Sequence, residues 1–231
     1  MLEQYDALLA SIGDRAEEIG DRPVVTHGPH AGRSFGGLAI VGQAVFGWPG
    51  DCRAADLRSP EKRAEDLRAT TARNADRPEP LDWIESSPNR TSPFWTCART
   101  LADLLEPGES PWYSRIAWVN LYPAAPEDPP GNPADALREA QDPHVAGLLR
   151  ATLDAIGART VVALVGPFWW PTGSDPAFAA LAERPRPLLR SGVADGRPLV
   201  VGWHPTGASR RGTGPYAYAR LIAEEVARVR A

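Results

Sequence analysis

Cysteine is almost missing from this chain: Cys52 and Cys97 are the only two among 231 residues, and they form no CxxC pair. That excludes a disulfide-stapled scaffold and argues against a cysteine-ligated iron–sulfur or structural zinc site. Lysine is scarcer still, with Lys62 alone, so nearly all positive charge is arginine. A net charge of -4 and a pI near 5.6 exclude nucleic-acid binding through bulk charge, although not through a local basic groove. No apolar run reaches the roughly 18 residues of a membrane span, and no charged-then-apolar leader opens the chain. The expected location is therefore the cytoplasm. His27 and His30 make a His-x-x-His in a Gly/Pro loop without a neighbouring carboxylate or cysteine, so no metal is expected, and no cofactor.

What remains is ordinary for a globular protein: 43% hydrophobic and 23% charged residues, enough to build a sizeable core. The length predicts one domain over residues 1–231, with 1–36 as an N-terminal helix-and-loop extension. Leu2, Tyr5, Leu8, Leu9, Ile12, Ala16 and Ile19 recur at helical spacing. Residues 21–35 read as loop, 37–42 as a buried strand and 59–71 as a charged helix. Trp83 and Ile84 anchor a Pro/Ser/Asn-rich stretch that leads into a helix over 94–105. A second strand covers 115–120, a proline-rich loop 121–133, a helix 143–156 and a third strand 160–166. A short helix over 175–183, a strand pair around Asp195-Gly196 and a closing helix over 214–230 complete the chain. Apolar strands alternating with helices predict a single-domain, three-layer α/β/α protein with a central, mainly parallel, four-stranded sheet.

In such sheets ligands bind beyond the carboxyl ends of the strands. Those ends here are Gly42-Gln43, Asn120, Gly166 and His204. Glycine admits close approach of backbone to a ligand, and Gln, Asn and His supply directed hydrogen bonds. The fourth end is the most informative: Val200-Val201-Gly202-Trp203-His204-Pro205-Thr206 runs from an apolar strand into His-Pro, with Ser209, Arg210 and Arg211 close behind.

In order and spacing these motifs resemble the uracil-DNA glycosylase superfamily, over about residues 37–220. The first is Leu38-Ala39-Ile40-Val41-Gly42-Gln43-Ala44, and the second is the strand ending at Asn120. The third comprises Pro130-Gly131-Asn132-Pro133 and Thr160-Val161-Val162-Ala163-Leu164-Val165-Gly166, similar to the bacterial and archaeal iron–sulfur branch. The last is His204-Pro205-Thr206, where His-Pro-Ser is usual. The chain departs from the pattern in two ways. The four cluster cysteines are missing, and Ala44 stands where the best-known branch keeps a water-activating Asp.

The resemblance implies a uracil-DNA glycosylase-like fold and hydrolysis of an N-glycosidic bond, leaving an abasic site. His204 would donate to the departing pyrimidine, which gathers negative charge as the sugar turns oxocarbenium-like. Asn120 would read the base: one orientation of its amide suits uracil, the other cytosine or a modified cytosine. Gln43, Gly42 and Ala44 would face sugar and base, and Asp51 is the candidate for the missing carboxylate. Phe46, Trp48, Phe94 and Trp95 are candidate stacking rings, and Phe168-Trp169-Trp170-Pro171 is a further aromatic cluster. Thr206, Ser209, Arg210 and Arg211 would meet DNA while the base is flipped. The expected partner is DNA, with no membrane, and the expected state is a monomer. Uracil is the default substrate, and a modified pyrimidine in phage DNA would make this a defence protein. Two alternatives stand beside this reading. One is a non-catalytic base-binding module on the same fold, and the other is a hydrolase of free nucleosides or nucleotides.

Overall fold

A computed structural model of the chain describes residues 1–21, 23–44, 52–72, 77–86, 89–127, 131–171 and 175–231. The strands are β1 (Pro23–Thr26), β2 (His30–Ala31), β3 (Leu38–Ala44), β4 (Cys52–Arg53), β5 (Ile116–Tyr122), β6 (Ala124–Pro126), β7 (Thr160–Leu164), β8 (Ala182–Glu183), β9 (Leu188–Ala194) and β10 (Arg197–Gly202). The helices are α1 (Leu2–Asp14), α2 (Ala16–Ile19), α3 (Pro60–Ala72), α4 (Pro93–Leu105), α5 (Asp135–Ala155), α6 (Pro176–Ala179), α7 (Pro205–Ser209) and α8 (Pro215–Arg230). The protein is an α/β fold with two sheets.

The chain divides into two compact units, each drawn from three stretches. The first comprises Met1–Pro29, Gln43–Asp76 and Asn120–Ala155; the second comprises His30–Gly42, Arg77–Val119 and Ile156–Ala231. The segment 1–36, expected as an extension, is thus shared between the two.

In the first unit α1 packs on α5, α3 and the 3-10 turn Ala54–Arg58. Its apolar stripe, Tyr5, Leu8, Leu9 and Ile12, joins Leu57, Leu137 and Leu148 in one core. The expected loops over 21–35 and 121–133 each contain a short strand: β1 pairs antiparallel with β6 and with β4. The buried Gln141 amide fixes β6, accepting from the Ala124 N–H at 3.0 Å and donating to its carbonyl at 2.9 Å. Helix α5 begins eight residues before the expected start because Pro143 lies inside it. A proline removes the bond to the carbonyl four residues back. Here that carbonyl belongs to Glu139, which is exposed and open to water.

The second unit holds the larger sheet, of strand order β2-β5-β3-β7-β10-β9-β8. The expected strands β5, β3, β7 and β10 are neighbours in it, and β9, the other half of the expected strand pair, lies beside β10. The two-residue strands β2 and β8 form its edges, so among the described residues the sheet has seven strands where four were expected. β3, β7 and β10 run parallel, whereas β2, β9 and β8 pair antiparallel, so the sheet is mixed. The β9–β10 hairpin closes through Asp195 and Gly196, both at positive φ (50° and 74°), as a two-residue turn requires. Helices α4 and α8 pack on each other, and α8 packs on β10. Among the described residues no helix is long and apolar enough to cross a membrane.

Candidate functional site

Three parallel strands of the second unit run side by side, with β3 continuing past the end of β7. Val41 of β3 pairs with Ala163 of β7, and Gly202 of β10 pairs with Leu164. Gly42 lies within β3 near its end, and Gly166 and His204 lie two residues beyond β7 and β10. Gly166 adopts φ 85°, and its N–H donates to the Gly202 carbonyl at 3.0 Å. A Cβ built on Gly166 would lie 3.9 Å from the His204 backbone nitrogen, so β7 and β10 deliver their ends side by side.

His204 caps α7, a helix in place of the expected loop. The Thr206 backbone N–H donates to His204 Nδ1 at 3.4 Å. An Nδ1 that accepts cannot carry a proton, so the neutral ring holds its hydrogen on Nε2. Burial lowers the His204 pKa from the usual histidine value, which keeps the ring neutral at pH 7. Phe94 lies against the ring, with centroids 5.7 Å apart and planes 19° from parallel. Among the described residues no carboxylate pairs with His204. The arrangement is that of a hydrogen-bond donor of fixed tautomer rather than the base of a catalytic dyad.

The ring's backbone is held from below. Tyr218 of α8 is fully buried and donates to the Trp203 carbonyl at 3.0 Å and the Pro187 carbonyl at 3.2 Å. On the other flank the Arg211 guanidinium lies 3.6 Å from the Trp203 ring centroid, and that of Arg186 lies 5.5 Å away. Arg210 and Arg211 are exposed, and Ser209 Oγ is buried with no partner among the described residues. Thr206, Ser209, Arg210 and Arg211 therefore lie on or just past the helix that His204 caps.

The two candidate rings of α4 have different surroundings. Ser92 caps the helix by accepting from the Trp95 N–H at 3.1 Å, which sets Phe94 toward His204. Trp95 is buried among Trp83, Trp112 and Trp118, with centroids 5.4 to 6.4 Å away. It is part of an indole core. Phe46, Trp48 and Asp51 lie outside the described residues.

In the first unit, Asn120 sits on β5 and is 7% exposed. Neither its Oδ1 nor its Nδ2 has a hydrogen-bond partner among the described residues. Leaving a buried amide unpaired costs about 1–3 kcal/mol per group. Gln43 and Ala44 are half-buried at the end of β3. No cluster of His, Cys, Asp or Glu suited to a metal occurs among the described residues.

Comparison with known proteins adds no name. No family model matches the chain, and no curated protein matches it. The site therefore stands on its own geometry. Sequence reasoning reached His204 and Phe94 but not what orients them. The Thr206 amide that sets the tautomer is a backbone group, and only the His-Pro that opens α7 signalled a helix start there.

Proposed function

We propose that this protein is a DNA glycosylase with a uracil-DNA glycosylase-like fold, hydrolysing the N-glycosidic bond of a flipped pyrimidine. The observation that carries the reading is the neutral His204 imidazole, its Nδ1 occupied by the Thr206 amide, so that Nε2–H is its one donor. Cleavage pushes electrons from the glycosidic bond into the base, and charge develops on the pyrimidine carbonyl. A donor already oriented for that charge is worth about 3 kcal/mol, or about a hundredfold in rate.

Two further observations support the reading. Among the described residues the buried Asn120 amide has no partner for its acceptor or its donor, and a pyrimidine edge supplies their complements. Arg210 and Arg211 give the end of α7 the local positive charge that a phosphate backbone needs in an acidic protein. Uracil is the default base. The amide turned over accepts the N4–H of a cytosine-type base, which admits a modified pyrimidine.

The test is abasic-site formation. Wild type and His204→Ala are incubated with duplex and single-stranded DNA carrying normal, deaminated, hydroxymethylated or glucosylated bases, then treated with alkali. Strand breaks at one base, reduced about a hundredfold or more in the variant, are the expected result. Ala44 favours a second reading, a base-binding module without catalysis, because no carboxylate stands at that position. Binding of DNA with no breaks on any substrate establishes that reading. Hydrolysis of free nucleotides with little salt dependence places the chain among nucleotide hydrolases.

A further inference from the structure

A cavity lies in the second unit. It encloses about 360 Å³ and is lined by Pro167, Trp170, Glu183, Arg184, Arg186, Leu189, Arg190 and Val201. Val201 of β10 pairs with Arg190 of β9, so both side chains lie on one face of the sheet. Their chain neighbours lie on the other face: Gly202 meets Tyr218, and Ser191 meets Glu225, both on α8. The cavity floor is thus the face turned away from α8, and β10 contributes to both features through alternate residues.

The charge in this cavity is not balanced from within. Arg184 is neutralised by Glu225 at 2.7 Å. Arg190 donates through Nη1 to the Leu181 carbonyl at 3.2 Å and the Ala179 carbonyl at 3.4 Å, and its Nη2 reaches the Glu183 carboxylate, 85% exposed, only at 3.4 Å. Arg186 has no carboxylate partner among the described residues, only the face of Trp203. Among the described residues the Trp170 indole N–H has no acceptor, although the residue is 6% exposed. A buried donor and an unpaired guanidinium beside one cavity ask for the same thing, a multivalent oxyanion. A carboxylate offers two oxygens. A terminal phosphate offers three, enough for Arg186, Arg190 and Trp170 together, and arginine forks match phosphate geometry. The volume suits a small organic ligand, and Pro167, Leu189, Val201 and the Trp170 ring supply apolar walls for the rest of it.

We propose that this cavity binds a phosphate-bearing small molecule of mononucleotide size, with the phosphate held by Arg186 and Arg190. The site is independent of the glycosylase reading and is tested by binding alone. Isothermal titration calorimetry in low salt measures the full chain against inorganic phosphate and against 2′-deoxynucleoside 5′-monophosphates. Wild type binds both, the nucleotide more tightly, and phosphate competes with it. Arg186→Gln weakens binding about tenfold or more, as expected for loss of a charged hydrogen-bond donor, while Arg210→Gln leaves it unchanged. Where Arg186→Gln does not fold, Arg186→Lys keeps the charge, loses the fork and gives a smaller loss. No binding of either probe at about 10 mM, weaker than any useful millimolar site, overturns the proposal. So does equal affinity in the Arg186 variants, or binding to duplex DNA but to neither small probe.

Discussion

The His204 imidazole makes a prediction that needs no substrate. Burial lowers its folded pKa, and Nδ1 must stay unprotonated to accept from Thr206. The unfolded chain binds a proton on this ring near pH 6.5, and the folded chain binds it only at lower pH. Folding stability is therefore fully present above 6.5. It falls as the pH drops from 6.5 to the lowered folded value and levels off below that. The slope in this window is at most about 1.4 kcal/mol per pH unit for one proton. His204→Asn isolates the effect, because Asn is a strong helix N-cap that accepts from the same amide without titrating. Urea unfolding of both proteins at pH 7.5, 6.5, 5.5 and 5.0 gives the difference directly. His144, also lowered by desolvation, titrates in both proteins and cancels. The variant is expected to gain on wild type steadily as pH falls through the window. Parallel curves with a constant gap would refute a desolvated, neutral His204 and remove the main support for its role as a donor.

Three other outcomes follow from the same structure. Asn120→Leu removes a buried amide that has no partner among the described residues, so thermal unfolding should show unchanged or higher stability, by about 1 kcal/mol, while abasic-site formation is lost. Gly13→Ala places a Cβ 2.6 Å from the Leu57 carbonyl carbon, where α1 meets the 3-10 turn. Chemical denaturation should register a loss of about 2 kcal/mol or more from the forced separation. Cys97 is fully buried and its thiol is pushed up to about 12 by desolvation. Mass spectrometry after iodoacetamide treatment should find it unmodified in the native protein and alkylated in urea, because the thiolate is the reactive species.

The elements read correctly from the sequence are those whose pattern is local. The continuous apolar runs of β3, β5, β7 and β10 mark strands covered on both faces, and Gly214-Pro215 marks the start of α8. The missed strands β1 and β6 owe their existence to partners far away in sequence: Val25 needs Ala125, and β6 needs the Gln141 side chain. Their Gly/Pro-rich surroundings signal only loop. Pro143 misplaced the start of α5 because a proline in a first turn and a proline on a solvated helix face look alike in one dimension. At the site, His204 was legible from the strand and the proline that flank it. The stack with Phe94, 110 residues earlier, was not, nor was the Arg186 guanidinium over Trp203, since neither spacing follows from a local period.

The division of the chain into two interleaved units constrains how it can be made. The first unit draws its last stretch from Asn120–Ala155, whereas the second waits for Ile156–Ala231. On the ribosome, where earlier segments emerge first, the first unit has all its sequence while His30–Gly42 and Arg77–Val119 still lack their partners. Those two stretches include β3, an apolar strand whose outer edge stays open until β7 arrives. No single cut leaves both units complete. A fragment from residue 30 onward keeps all of the second and removes the opening helix of the first. The nascent chain therefore carries an exposed strand edge late into synthesis, the period in which a holdase chaperone would be most useful to it.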